Sequence, residues 1–177
     1  MKRIIIVFLL LISGSLYSQE KSISVFGVPM GSSFEEAERI LDQRFFKKDS
    51  EGKSILHYYD VPFGNIEKTN LTLSFSEGIY GGTSLNSVQI GKRYEKKSEA
   101  INAREDCVKL LSQKYPSIKS EMVDGYKLYR FGLYKNQPDI TVGFIQIIET
   151  DARITGKPLY ILVIRYAPTK RRPIDDI

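Results

Sequence analysis

The segment FGVPMGSSFEEAERIL, residues 26–41, joins a glycine-containing turn to an apolar pattern with helical spacing. A dinucleotide-binding loop needs glycines in the order G-x-G-x-x-G, but here three residues separate Gly27 from Gly31. A serine followed three residues later by a glutamate forms a capping box instead, as in Ser33–Glu36 and Ser32–Glu35. We therefore predict a Val-Pro-Met-Gly turn, with proline second and glycine fourth, that starts a helix. An anion bound at the start of this helix is the alternative.

Two helices are predicted from apolar residues spaced three or four positions apart. Residues 33–46 carry one such stripe, which consists of Phe34, Ala37, Leu41 and Phe45. Residues 98–115 carry a second stripe, which consists of Ile101, Val108, Leu111 and Tyr115, and Pro116 ends this helix.

Six further segments are predicted to be strands: 54–59, 71–75, 87–94, 126–131, 140–148 and 159–166. Apolar and polar residues alternate strictly in LTLSF (71–75), which is typical of a sheet that is covered on one side only. The segment LYILVIRY (159–166) is apolar on both faces, so it is predicted to lie centrally in the sheet. Residues 22–27 are predicted to add an edge strand.

The order of helix and three strands occurs twice, and three sequence matches support a repeat. ILDQRF (40–45) matches LLSQKY (110–115), LTLSF matches ITVGF (140–144), and Arg93-Tyr94 matches Arg165-Tyr166. The offsets are 70, 69 and 72 positions. We therefore predict an α+β protein of two αβββ units, which form one antiparallel sheet with both helices on one face. The predicted boundaries are 19–97 for the edge strand and first unit, 98–168 for the second unit, and 169–177 for a polar tail.

The N-terminus has the pattern of a secretory signal peptide. Lys2 and Arg3 precede an unbroken apolar run at residues 4–12, and cleavage is predicted after Ser18. The run is too short for a transmembrane helix, which needs about 20 apolar residues. Because no cysteine lies near the cleavage site, we expect no lipid anchor. The protein is therefore predicted to be exported, either to the periplasm or to the medium.

The charge balance weighs against nucleic acid as a partner. The chain has 26 basic and 21 acidic residues, and removal of the signal peptide would leave 24 basic residues. Nucleic-acid binding needs a concentrated basic patch. The basic runs at 92–97 and 170–172 are interpreted as solvated surface and tail.

Cys107 and His57 are the only thiol and the only imidazole in the chain. A Cys–His pair could serve a secreted hydrolase or thiol enzyme, which is the alternative functional hypothesis. However, Cys107 lies on an apolar helix stripe, where a free cysteine usually behaves as a small hydrophobic residue. With one residue of each kind, no metal site and no cofactor are predicted.

Aromatic residues suggest a binding surface instead. The polar face of the sheet is expected to carry Tyr58 or Tyr129, and Tyr80 lies between glycines at a loop tip. Exposed tyrosines on a rigid surface are common anchors at protein interfaces. The alternative is that each of these tyrosines is half-buried at a sheet edge.

The two-unit pattern resembles the β-lactamase-inhibitor-like fold group. The run Gly31-Ser32-Ser33-Phe34-Glu35-Glu36-Ala37 ahead of a helix is also similar to the opening of small outer-membrane assembly lipoproteins of that group. The chain lacks the disulfides of the inhibitors and the acylated cysteine of the lipoproteins, so no residue role is transferred. The resemblance implies a non-enzymatic module that binds another envelope or extracellular protein across its open sheet face.

Overall fold

The structure is a computed structural model, and it describes residues 23–45, 48–77, 83–115, 117–123, 125–132, 140–151 and 157–170. The predicted signal segment 1–18, Tyr80 and residues 171–177 lie outside these ranges. The described residues form a large antiparallel sheet, a small hairpin and two helices, which confirms the predicted α+β class.

The strands are β1 Ser24–Val25, β2 Val28–Pro29, β3 Lys48–Glu51, β4 Ile55–Phe63, β5 Ile66–Glu77, β6 Thr83–Tyr94, β7 Ile118–Val123, β8 Tyr126–Phe131, β9 Ile140–Asp151 and β10 Pro158–Lys170. The large sheet has the order β3-β4-β5-β6-β10-β9-β8-β7. Strand β10 therefore lies at the centre, as its two-sided apolar sequence predicted. It extends through Lys170, two residues past the predicted end of the second unit at residue 168.

The two helices are α1, Phe34–Asp42, and α2, Lys97–Lys114. The Ser33 hydroxyl accepts a hydrogen bond from the Glu36 amide at 3.2 Å, so the predicted N-cap of α1 is confirmed. Helix α2 has no side-chain cap at its start, and at its end Tyr115 is extended, as expected for a residue before proline.

Four strands follow each helix, whereas the sequence predicted three. The additional strands are β3, with the sequence KDSE, and β7, with the sequence IKSEMV. Both lie at the edges of the sheet and carry several charged residues. Their backbone groups pair with only one neighbouring strand, so the strand conformation depends on that pairing rather than on a local apolar pattern.

The predicted N-terminal edge strand does not join the large sheet. Strand β1 pairs instead with β2 in a two-residue hairpin, whose turn at Phe26 and Gly27 has positive φ angles of 53° and 85°. The following turn begins at Pro29, whose carbonyl accepts from the Ser32 amide. Gly31 is therefore third in this turn, with φ at 91°, rather than fourth as predicted. A left-handed angle at the third position is the reason that this turn needs glycine.

The strand register defines the two faces of the sheet. We call one the inner face, which includes the cross-strand row Tyr58, Leu71, Ile90, Ile164, Ile145 and Tyr129. All six of these residues are buried, and they belong to one apolar cluster with side chains from both helices. The other, which we call the outer face, includes the row Asp49, His57, Thr72, Gln89, Arg165, Phe144, Arg130 and Lys119.

Phe131 packs closely against Gly143 on the inner face between β8 and β9. They are cross-strand partners, and a Cβ atom at Gly143 would lie 2.7 Å from Cζ of Phe131 and would collide with the carbonyl oxygen of Arg165. The Phe131 ring therefore occupies the space that a side chain at position 143 would fill. Its centroid lies 5.1 Å from the rings of both Tyr115 and Tyr166.

Candidate binding face

Tyr58, one of the predicted binding residues, lies on the inner face. Its side chain is fully buried, and its hydroxyl donates to the Asp42 carboxylate at the end of α1 at 2.7 Å. Lys48 also donates to Asp42, at 2.8 Å. The prediction that Tyr58 is displayed on the polar face is therefore wrong, because its ring completes the core and its hydroxyl reaches a charged partner.

Tyr129 has an equivalent environment at the other end of the same row. It is 8% exposed, and its hydroxyl donates to Glu105 of α2 at 3.1 Å. Arg104 donates to the same carboxylate at 2.8 Å and stacks over the Tyr129 ring. The expectation that Tyr129 is exposed is therefore also wrong, and the third predicted anchor, Tyr80, lies outside the described residues.

The Tyr58–Asp42 contact predicts a pH-dependent loss of stability in the Tyr58→Phe variant. Burial raises the pKa of Asp42, but the hydrogen bonds from Lys48 and Tyr58 outweigh it and hold this pKa below its ordinary value. A carboxyl group whose pKa is lower in the folded than in the unfolded state stabilises the fold at pH values above its unfolded-state pKa. That stabilisation is lost as the pH falls through the folded-state pKa. We expect Tyr58→Phe to lower the free energy of unfolding by about 1 kcal/mol near neutral pH, because Asp42 is partly exposed and water can replace the hydroxyl.

Urea denaturation at a series of pH values measures this difference. It should shrink only in the acid range below about pH 4, the ordinary aspartate pKa, because the lowered pKa keeps Asp42 of the folded chain ionised down to that range. The neighbouring Tyr59→Phe variant is the control, because Tyr59 is 42% exposed. A difference for Tyr58→Phe that stays constant through the acid range would contradict a role for the ionised Asp42.

Cys107 and His57 are not brought together. Cys107 is buried on α2 in the inner apolar cluster, and burial raises the pKa of its thiol to about 12. His57 belongs to the outer row, where its Nδ1 lies 3.0 Å from Oγ1 of Thr72. The sheet therefore separates the thiol from the imidazole, and the pair required by the thiol-enzyme alternative is not formed.

A metal-ligand cluster and a membrane-crossing helix are two further features that would indicate a function in the described part of the chain. Within it, no three histidine, cysteine, aspartate or glutamate residues cluster as metal ligands would. Neither of the two helices is long and apolar enough to cross a membrane.

The start of α1 does not favour the bound anion that was the alternative interpretation of this segment. Ser33 accepts a hydrogen bond from the Glu36 amide, and the first turn carries Glu35 and Glu36, whose negative charges disfavour an anion there.

The most distinctive surface is an apolar patch on the outer face of β8, β9 and β10. Leu128 and Val163 are almost fully buried, yet neither belongs to the main core cluster, because their side chains lie on the opposite side of the sheet. Ile148 is 39% exposed and pairs across strands with Ile161. We call this set the outer patch, and it consists of Leu128, Phe144, Ile148, Leu159, Ile161 and Val163.

Cationic side chains border the outer patch. Arg130 and Arg165 lie directly opposite Phe144 on the two neighbouring strands, and Arg93 lies opposite Ile161. Arg130 forms an ion pair with Glu121 at 2.6 Å, whereas Arg93 and Arg165 are exposed to solvent. The outer patch therefore combines apolar surface with guanidinium groups at its border.

The outer face is mostly polar on β4, β5 and β6. The corresponding positions on β4, β5 and β6 include His57, Thr72, Ser74, Ser87 and Gln89. The two halves of one face thus differ in chemistry. Sequence reasoning missed the outer patch as a candidate site, although its signal was present: LYILVIRY is apolar on both faces, so one apolar side had to lie away from the inner core.

Comparisons with protein-family models, with curated proteins and with solved structures found no match for this chain.

Proposed function

We propose that this protein is an exported, non-enzymatic binding module that recognises another envelope or extracellular protein through the outer patch. The observation that carries the proposal is the cluster of six apolar side chains on the sheet face that lies away from the inner core. Phe144, Leu159 and Ile161 of this set are half-buried and Ile148 is exposed, and apolar side chains grouped at the surface of a folded protein are typical of an interaction site. The export component rests on the signal-like sequence at residues 1–18.

The border of the outer patch indicates the chemistry of the partner. Arginine is enriched at interfaces because its planar fork binds carboxylates in a bidentate manner. Arg93 and Arg165 are exposed beside Ile161 and Phe144, where they can meet acidic groups on an apolar surface. The partner surface is therefore apolar at its centre and carries aspartate or glutamate at its edge.

The proposed architecture behind this surface is a tandem repeat with both helices on one face. Tyr58 and Tyr129 support it: they are 71 positions apart, within the range of the sequence offsets. Each lies on the second strand after a helix, and each donates its hydroxyl to a carboxylate of that helix. On the same basis we propose that the fold is similar to that of the β-lactamase-inhibitor-like group, with four strands rather than three in each unit.

Site-specific photocross-linking tests the proposed function. A photoreactive residue replaces Ile148 of the outer patch, and the matched control replaces Asp49, which is exposed on the same face at the far edge of the sheet. Both full-length variants are produced in the native cells and irradiated. We expect position 148 to yield an adduct with a different protein and position 49 to yield little or none. Adding Arg165→Glu should reduce the adduct about tenfold, since like charges across an interface are costly.

Three outcomes would contradict the proposal. Equal cross-linking from positions 148 and 49 would mean that contact is not specific to the outer patch. No adduct from position 148 would mean that no partner covers the outer patch. An adduct between two copies of this chain would mean that the outer patch binds a second copy and not a different protein. A Cys107→Ser variant should cross-link like the wild type, because Cys107 is buried on the inner side.

A further inference from the structure

The two edges of the large sheet differ in their exposed side chains. Strand β3 ends one edge with four exposed residues of sequence KDSE, of which three are charged. Strand β7 ends the other edge, where Met122 is 67% and Val123 is 40% exposed. An edge strand offers unpaired backbone groups to another strand, and charged residues are the usual protection against this. The β7 edge is the less protected of the two.

We propose that β7 pairs with β7 of a second copy of this chain, antiparallel and about a two-fold axis at Ser120. In this register Lys119 of each copy lies opposite Glu121 of the other, on the outer face. Ile118 lies opposite Met122, on the inner face. The strand is therefore self-complementary, with two opposite-charge pairs on one side and two apolar pairs on the other.

Neighbouring registers that keep the same faces aligned are disfavoured. If the two-fold axis were centred on Lys119, the lysines of the two copies would lie opposite each other. If it were centred on Glu121, the two glutamates would lie opposite each other. Like charges directly opposite each other destabilise a strand pair. The charge sequence of β7 thus selects one register.

The other edge provides a matched comparison. Ser50 occupies the middle of β3, as Ser120 does in β7. Pairing two β3 strands about Ser50 would place Asp49 opposite Glu51, which is repulsive. The structure therefore assigns self-association to the β7 edge and not to the β3 edge, and this assignment is independent of the partner proposed for the outer patch.

Disulfide trapping tests the proposal. Residues directly opposite on antiparallel strands have Cα atoms about 4.5–5.5 Å apart, which suits a disulfide. In the purified full chain, Ser120→Cys should form covalent dimers under mild oxidation at least about tenfold faster than Ser50→Cys. Both variants keep Cys107, because this thiol is buried and should not form disulfides with the introduced cysteine.

A charge exchange tests the register. Lys119→Glu in the Ser120→Cys chain should slow dimer formation about five- to tenfold, and the double exchange Lys119→Glu with Glu121→Lys should restore it. Far-ultraviolet circular dichroism of every variant verifies that it is folded. Equal rates for Ser120→Cys and Ser50→Cys would overturn the proposed edge, and a rate unaffected by Lys119→Glu would overturn the proposed register.

Discussion

Replacing Phe131 by alanine is expected to lower the free energy of unfolding by about 3–5 kcal/mol. The Phe131 ring is fully buried and packs against the rings of Tyr115 and Tyr166. It also covers Gly143, which has no side chain to fill the space left behind. The cost therefore includes both the lost apolar burial and a cavity that its surroundings fill only in part. Because typical domains are stable by about 5–15 kcal/mol, this single change would remove a large share of the total.

Denaturation by urea with linear extrapolation measures this loss. Phe144→Ala is the matched control: it lies next to Gly143 in β9, but its side chain is on the outer face and only half-buried. We expect this control to lose about 1 kcal/mol or less. Similar losses for the two variants would contradict the assignment of Phe131 to the inner face and Phe144 to the outer face.

The second large effect concerns the thiol of Cys107. Its pKa is raised to about 12 by burial and, to a smaller extent, by the charge of Asp106. Only the thiolate reacts with disulfide reagents, and an ordinary cysteine has a pKa near 8.5. At about pH 8 the native thiol should therefore contain about a thousandfold less thiolate than the thiol of the unfolded chain. We expect it to react at least about tenfold more slowly, because the higher nucleophilicity of a high-pKa thiolate offsets only part of this difference.

Reaction with a coloured aromatic disulfide, in buffer and in concentrated guanidinium chloride, gives the two rates. The Ser50→Cys chain supplies an exposed thiol as the positive control, and Cys107→Ser supplies the blank. A native rate within tenfold of the unfolded rate would show that Cys107 is accessible and would restore the thiol-enzyme alternative.

Most secondary structure could be predicted because its signals are local. Each of the six predicted strand segments overlaps an observed strand, and both predicted helices are present with boundaries shifted by a few residues. The serine cap of α1 was predictable for the same reason, since the donor and acceptor lie three residues apart. Strands β3 and β7 could not be predicted, because neither has a strict apolar–polar alternation and their conformation depends on pairing with β4 and β8.

The candidate site was predictable only in part. The apolar character of LYILVIRY on both faces indicated a central strand, and the same pattern explains why Ile161 and Val163 emerge on the outer face. The tyrosines chosen as anchors are instead inner-face residues. Tyrosine patterns are ambiguous in this way, because the ring suits a core while the hydroxyl suits a surface, and a carboxylate within hydrogen-bonding distance of the buried ring decides between them.

The sequence by itself determined where the helices and most strands lie, which strand is central, and that the only thiol sits on a helix stripe. The tertiary structure alone decided which side of each strand is covered, because an alternating pattern is unchanged when the strand is turned over. It thereby placed Tyr58 and Tyr129 against Asp42 and Glu105, and it gathered the outer patch from three strands. It also placed β3 and β7 at the two edges, since edge position depends on the order of strands in space.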